Sequence, residues 1–201
     1  MEKNRLEAFS DGVLAIIITI MVLELKAPRG ASFSDLLPLA PVFSSYVLSF
    51  VYVGIYWNNH HHMFQTTHRV SAAILWSNLH LLFWLSLFPI ATAWMGQNPL
   101  APAPTAAYGV ILLCAAVAYY ILQSAIIAHE GGRSSLLASA IGRDWKGKLS
   151  PVFYLAAIPL AFVEPWISHA LYALVALLWL CPDPRIERAL ERREREGRGL
   201  K

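Results

Sequence analysis

Apolar residues run through this chain in blocks long enough to cross a bilayer. Six such blocks lie near 6–25, 39–58, 72–95, 105–128, 150–164 and 166–181, separated by turn-forming segments. The first, Leu6 to Leu25, holds twenty residues, which as a helix would rise about 30 Å, the thickness of a bilayer core. Its first half carries Glu7, Ser10 and Asp11; the second half is Val, Leu, Ala, Ile and Met with one hydroxyl, Thr19. Ionisable groups inside such spans face a bundle interior or a water path, because lipid offers them no partner. Ala27-Pro28-Arg29-Gly30 closes the first span, and the uncharged, proline-rich stretch 97–104 separates the third from the fourth. Proline breaks helix interiors, so that stretch is predicted to be a loop. The last two spans are short and meet at Glu164-Pro165, which predicts a tight helical hairpin. Six spans is the expected count, with five as the alternative.

Helical periodicity divides the first span into two faces. With Ile16 set at zero and about 100° per residue, Ile20 falls near 40°, Leu23 near 340°, Thr19 near 300°, Phe9 near 20° and Arg5 near 340°. One stripe therefore holds Arg5, Phe9, Ile16, Thr19, Ile20 and Leu23. Glu7 and Asp11 fall on the far side, at about 180° and 220°, which predicts that Asp11 faces helices of its own subunit. The stripe then faces either a pore axis shared between copies or ordinary lipid and packing, and periodicity alone leaves both open.

Composition agrees with a membrane protein. Of 201 residues 57% are hydrophobic and only 14% charged, against about 25% charged in soluble domains; the mean hydropathy is +0.49. Lys3 and Arg5 ahead of an apolar run imitate a signal peptide. Glu2, Glu7 and Asp11 interrupt it and no small-residue cleavage site follows, so a retained anchor is expected. Lys and Arg are one-sided. With six spans, the termini and the second and fourth loops share fourteen of them, leaving Lys26 and Arg29 opposite. The positive-inside rule then puts both termini in the cytoplasm of a multi-pass protein of the plasma (cell inner) membrane. Residues 1–181 form the six-span unit, and 182–201, ending RIERALERREREGRGLK, a charged cytoplasmic tail.

Several chemistries are missing. There is no phosphate loop, no HExxH and no GxSxG, so no catalytic residue, cofactor or nucleic-acid partner is expected. The voltage-sensor arginine repeat and the TVGYG filter are absent too. Cys114 and Cys181 sit in apolar stretches with no metal or disulfide spacing. Donors for Asp11 are visible in Trp57-Asn58-Asn59-His60-His61-His62 and in Trp76-Ser77-Asn78-Leu79-His80. Consecutive histidines point about 100° apart on a helix, so His60, His61 and His62 cannot share one metal within a subunit; a hydrogen-bond network is expected instead.

At these residues the chain resembles a known family. Arg5-x-x-x-Phe9-Ser10-Asp11 matches the RxxxFSD signature of the prokaryotic transmembrane protein 175 family, relatives of the endosomal and lysosomal potassium channel. The stretch Tyr56 to Phe64, YWNNHHHMF, and the PDPRIER of Pro182 to Arg188 are similar as well. The resemblance implies an all-α, six-helix subunit that assembles with itself into a homotetramer in the lipid bilayer, its first helices lining a path for K+. It also implies a hydrophobic constriction from Ile16, Ile20 and Leu23, with Thr19 facing the pore. Arg5, Phe9, Ser10 and Asp11 would belong to a network tying the first helix to its neighbours, with His60, His61, Trp76 and Asn78 as further partners. Potassium is less strongly hydrated than sodium, so modest potassium selectivity is the expectation. The alternative is a proton pathway or secondary transporter using Asp11, His60 and His80.

Overall fold

The computed structural model describes residues 2–141 and 145–180, and these are helical apart from short connections. The charged tail, Cys181 and Arg143 lie outside the described residues. Eight α-helices follow in order: α1 (Lys3–Leu23), α2 (Ala40–Gln65), α3 (Ala72–Ser86), α4 (Phe88–Gln97), α5 (Pro102–His129), α6 (Leu136–Ile141), α7 (Trp145–Leu160) and α8 (Pro165–Leu180). Among the described residues, four helical segments are long and apolar enough to cross a membrane: Lys3–Leu23, Phe33–Gln65, Ala72–Gln97 and Pro102–His129. α7 begins and α8 ends at the limits of the described residues, with 16 residues of each described.

Several boundaries differ from the sequence pattern: α2 runs on to Gln65 rather than ending near 58, and α7 covers Trp145–Leu160 rather than 150–164. The third span is two helices, broken at Leu87, because Pro89 has no N–H to give to the carbonyl of Leu85. Leu87 N instead bonds back to Trp84 O at 3.3 Å, a tighter turn. Pro102 and Pro104 lie inside the first turn of α5 rather than in a loop. First-turn N–H groups have no intrahelical acceptor, so proline there removes nothing. A 3-10 turn, Phe33–Leu39, precedes α2. Asp35 anchors it by accepting the Ser32 N–H at 2.9 Å, and the Ser32-x-x-Asp35 spacing was its signal in the sequence.

Tyrosines organise the centre of the bundle. Tyr52 OH donates to Tyr172 O at 2.7 Å, Tyr154 OH to Tyr52 OH at 3.3 Å, and Tyr172 OH to Thr105 O at 3.0 Å. Ser49 Oγ joins Thr92 Oγ1 at 2.6 Å and Tyr108 OH at 2.9 Å. Helices surrounded by lipid gain nothing from hiding apolar surface from water, so close packing and such bonds hold them together. Two glycines permit the close approach. A Cβ on Gly96 would lie 2.8 Å from Val42 Cα, and one on Gly109 would collide with the Tyr172 hydroxyl. α1 packs against α2, α3 and α4 through Leu6, Ser10, Leu14, Ile17 and Met21.

Candidate functional site

The buried face of α1 is held by a directed chain of hydrogen bonds. His60 Nε2 lies 2.7 Å from Asn78 Oδ1, Asn78 Nδ2 donates to Ser10 Oγ at 2.9 Å, and Ser10 Oγ donates to Leu6 O at 2.9 Å. Because the Ser10 proton goes to a carbonyl, the hydroxyl can only accept from Asn78, which sets the amide and makes His60 the donor through Nε2–H. The His60 ring also stacks on Phe64 at 4.5 Å between centroids. Ser10 and Asn78 are fully buried and His60 nearly so, so each group depends on its neighbour for a partner. Three elements, α1, α2 and α3, are thus pinned at one level.

Asp11 lies at the edge of this arrangement. It is exposed, yet it faces a helix of its own subunit: Oδ1 accepts the Trp57 Nε1–H of α2 at 3.0 Å. The serine before it, not the carboxylate, enters the packed interface. The structure brings together Ser10, His60 and Asn78, and separately Asp11 and Trp57. His61 stacks on Trp57 with ring centroids 6.3 Å apart, whereas Arg5, Phe9 and Trp76 are not brought to them. Arg5 and Phe9 are exposed on the outer stripe, His61 Nε2 meets Gln65 Nε2 at 2.9 Å, and Trp76 is 70% exposed. His80 accepts from Trp84 Nε1 at 3.0 Å. Trp57, the first residue of the run singled out as donors for Asp11, is the one that bonds it; it precedes His60 by three residues and lies about 60° from it around α2. Exposed on both sides, the Asp11–Trp57 bond is worth about 1 kcal/mol or less. Asp11→Ala is therefore expected to leave the melting temperature of the detergent-solubilised protein nearly unchanged while altering its assembly. Normal assembly on size exclusion would remove Asp11 from any such role.

The opposite face of α1 is uncovered by its own subunit. Ile16, Ile20 and Leu23 are exposed, as are Thr19 and the small residues Ala8, Gly12 and Ala15. Nothing lies within 4 Å of where a Gly12 Cβ would stand. Thr19 Oγ1 donates to Ala15 O at 2.8 Å, so its lone pairs, not its proton, face outward. The exposed residues of α7 and α8 differ in kind. Val152, Leu155, Leu174, Leu177 and Leu180 make a large, apolar surface suited to lipid.

A clasp closes the end of the bundle nearest His60. The Glu130 carboxylate after α5 accepts the His68 N–H at 2.8 Å and the His68 Nδ1–H at 2.7 Å. Burial alone would push the Glu130 carboxyl up, but the His68 backbone and ring and the Arg69 N–H outweigh it and hold it below its usual value. A lowered carboxylate pKa adds stability that is complete above the unfolded value and lost as pH falls through the folded one. Hydrogen exchange at the 66–71 connection is accordingly expected to rise on acidification below about pH 4, and Glu130→Gln is expected to raise it already at neutral pH. Among the described residues no group of three or more His, Cys, Asp or Glu could hold a metal ion. His60, His61 and His62 turn to different surroundings.

Comparisons with known proteins agree on one kind of molecule. The family described as endosomal/lysosomal potassium channel TMEM175 matches residues 5–89. A protein of Chryseobacterium sp. (strain P1-3) named as a potassium channel is 56% identical over 191 residues, 95% of this chain and 99% of that protein. The endosomal/lysosomal proton channel TMEM175 of Homo sapiens is 33% identical over 120 residues, 54% of this chain and 22% of the human protein. Among solved structures, the crystal structure of a lysosomal potassium-selective channel TMEM175 homolog from Chamaesiphon minutus superposes with a TM-score of 0.77 at 29% identity, covering 90% of this chain and 98% of that one.

Proposed function

Because this chain belongs to the TMEM175 potassium channel family, an ion-channel family and not an enzyme family, we propose that it conducts K+ through a pore lined by α1 from four copies of itself. The observation that carries this is the composition of the uncovered α1 face. A lipid-facing arc has no use for a threonine whose lone pairs point outward, nor for Ala8, Gly12 and Ala15, which allow backbones to approach. Ile16, Ile20 and Leu23 would form stacked rings of branched side chains. Such rings stop ions by excluding water, since an ion there loses its hydration without replacement ligands. Opening would need the helices to part or rotate, bringing Thr19 oxygens and water into the gap. Potassium, the more easily dehydrated ion, would then pass more readily than sodium, with modest discrimination.

The protein is a multi-pass membrane protein. Six spans per subunit, with α7 and α8 as the short pair, would leave both termini on the cytoplasmic side of the plasma membrane, in line with the one-sided Lys and Arg. One channel unit over 1–181 would then be followed by a charged tail. Neither a metal nor an organic cofactor has a role in this mechanism.

A second reading, proton conduction, is favoured by the name of the human relative. Reconstitution into liposomes separates the two, by reversal potentials under opposed K+, Na+ and H+ gradients. A reversal potential that follows K+ supports the proposal. One that follows H+ supports the second reading, and saturating counter-exchange without steady current would mean a transporter.

A further inference from the structure

Two outward faces of the bundle carry polar groups that the chain itself leaves unmatched. On α3, Trp76, His80 and Phe83 share one exposed face. His80 Nε2 accepts from Trp84 Nε1, and because an indole nitrogen only donates, the imidazole proton sits on Nδ1. No acceptor meets that proton among the described residues. On α2, Phe50, Gly54, Asn58 and His61 share another face. Asn58 is exposed and its side chain makes no hydrogen bond among the described residues. Nothing lies within 4 Å of where a Gly54 Cβ would stand, so close packing inside the subunit does not call for a glycine that weakens the helix. His80 lies eight residues from the start of α3, and Asn58 seven from the end of α2. Those are distances of about 12 and 10 Å along the helices, deeper than an interfacial zone of about 5–8 Å. Lipid at that depth offers an amide and an imidazole no partner.

The two faces match in height. The His60–Asn78 bond sets a common level for α2 and α3, which run in opposite directions on either side of the short 66–71 connection. His80 lies two residues beyond Asn78 on α3, and Asn58 two residues before His60 on α2. Both are therefore displaced about 3 Å in the same direction. Each also lies about 200° around its helix from the bonded residue, so the two side chains point away from one another and out of the subunit. By the same count Phe83 comes within one residue of the height of Gly54. In a closed ring, rotation about the membrane normal carries each copy into the next, which preserves height and joins two different patches of the subunit at every contact. α2 and α3 supply such a pair. An N–H on one meets an amide oxygen at its own height on the other, and a large ring meets a stretch of helix with no side chain.

We propose that α3 of one copy packs on α2 of the next, with His80 Nδ1–H donating to Asn58 Oδ1 across the contact and Phe83 covering Gly54. The proposal rests on the four-copy reading above and adds the surface through which the copies meet. Asp11, next to Ser10 and so in the same layer, is the rival acceptor. The test is cross-linking in native membranes of the full-length chain carrying Cys114→Ala and Cys181→Ala, with a short bis-methanethiosulfonate reagent. Asn58→Cys combined with His80→Cys is expected to give a ladder of linked chains, while either change alone, or His80→Cys with Leu177→Cys on α8, gives single chains. An amine-reactive reagent applied to the unaltered protein reports assembly independently. Four linked chains with that reagent but no ladder from the 58/80 pair overturns the interface and leaves the four-copy reading standing. Single chains in both experiments overturn the two together. A stronger ladder from Asp11→Cys with His80→Cys moves the contact to α1 and overturns the pairing. Gly54→Leu is expected to weaken association at least about tenfold, as overpacked contacts do, with helix content by circular dichroism unchanged because its own subunit has room for the side chain. Undiminished association of that variant overturns the proposal as well.

Discussion

Ile16→Asn is expected to raise potassium flux through reconstituted protein at least about tenfold, a barrier lower by about 1.4 kcal/mol, and to move the reversal potential under opposed K+ and Na+ gradients toward zero. The isoleucine side chain offers an ion nothing in exchange for its hydration shell, whereas the amides of the proposed four copies would supply oxygens and hold water at that level. The control is Leu177→Asn. Leu177 is 60% exposed and Ile16 59%, so exposure does not distinguish them; the proposed pore does. Leu177→Asn is expected to leave conduction and selectivity at parental values. Should Ile16→Asn behave the same while changes at Thr19 or Leu23 alter the current, the constriction lies elsewhere along α1.

The second large effect is expected from Asn78→Leu. Asn78 is fully buried and bonded at both ends of its amide. Removing it orphans the His60 Nε2–H and leaves Ser10 with one bond fewer, at about 1–3 kcal/mol for each unsatisfied group. Measured interhelical bonds in membranes average lower, about 0.6 kcal/mol, so about 2–4 kcal/mol in total is the reasonable expectation. The solubilised variant should melt well below the parent and elute with more dissociated protein on size exclusion. Combining it with Ser10→Ala is expected to recover part of the loss, because replacing both partners by apolar groups costs less than stranding one. An Asn78→Leu protein as stable as the parent would show that this chain of bonds does not hold α1 in register.

Much of this was legible along the chain. The apolar blocks locate the helices, and the wheel puts Ile16, Thr19, Ile20 and Leu23 on one arc, which the subunit leaves uncovered. The wheel turned Asp11 toward its own subunit, where it meets Trp57 of α2, but facing a neighbour is not being buried by it. The packed arc is centred on Ser10, Leu14 and Ile17, and Asp11 lies to one side of it. Helix breaks were harder to see. A proline inside an apolar run is tolerated where neighbouring helices satisfy the freed carbonyl, so Pro89 could have meant either a kink or a break at Leu87. Pairings between helices were harder still. Trp57 and Trp76 are equivalent donors in sequence, and only the packing of α1 on α2 selects Trp57 for Asp11.

The bonds running from His60 through Asn78 and Ser10 end on a peptide oxygen, Leu6 O. That ending has an electrical meaning. A carbonyl oxygen has no proton to hand onward, and an amide relays one only by passing through an imidic acid. The row of dipoles is therefore a wire grounded at its far end, able to polarise but not to carry current. That row relays no proton across α1; a proton moving along this helix would travel with water on its uncovered face, past Ile16 and Thr19, where the passage of potassium is proposed.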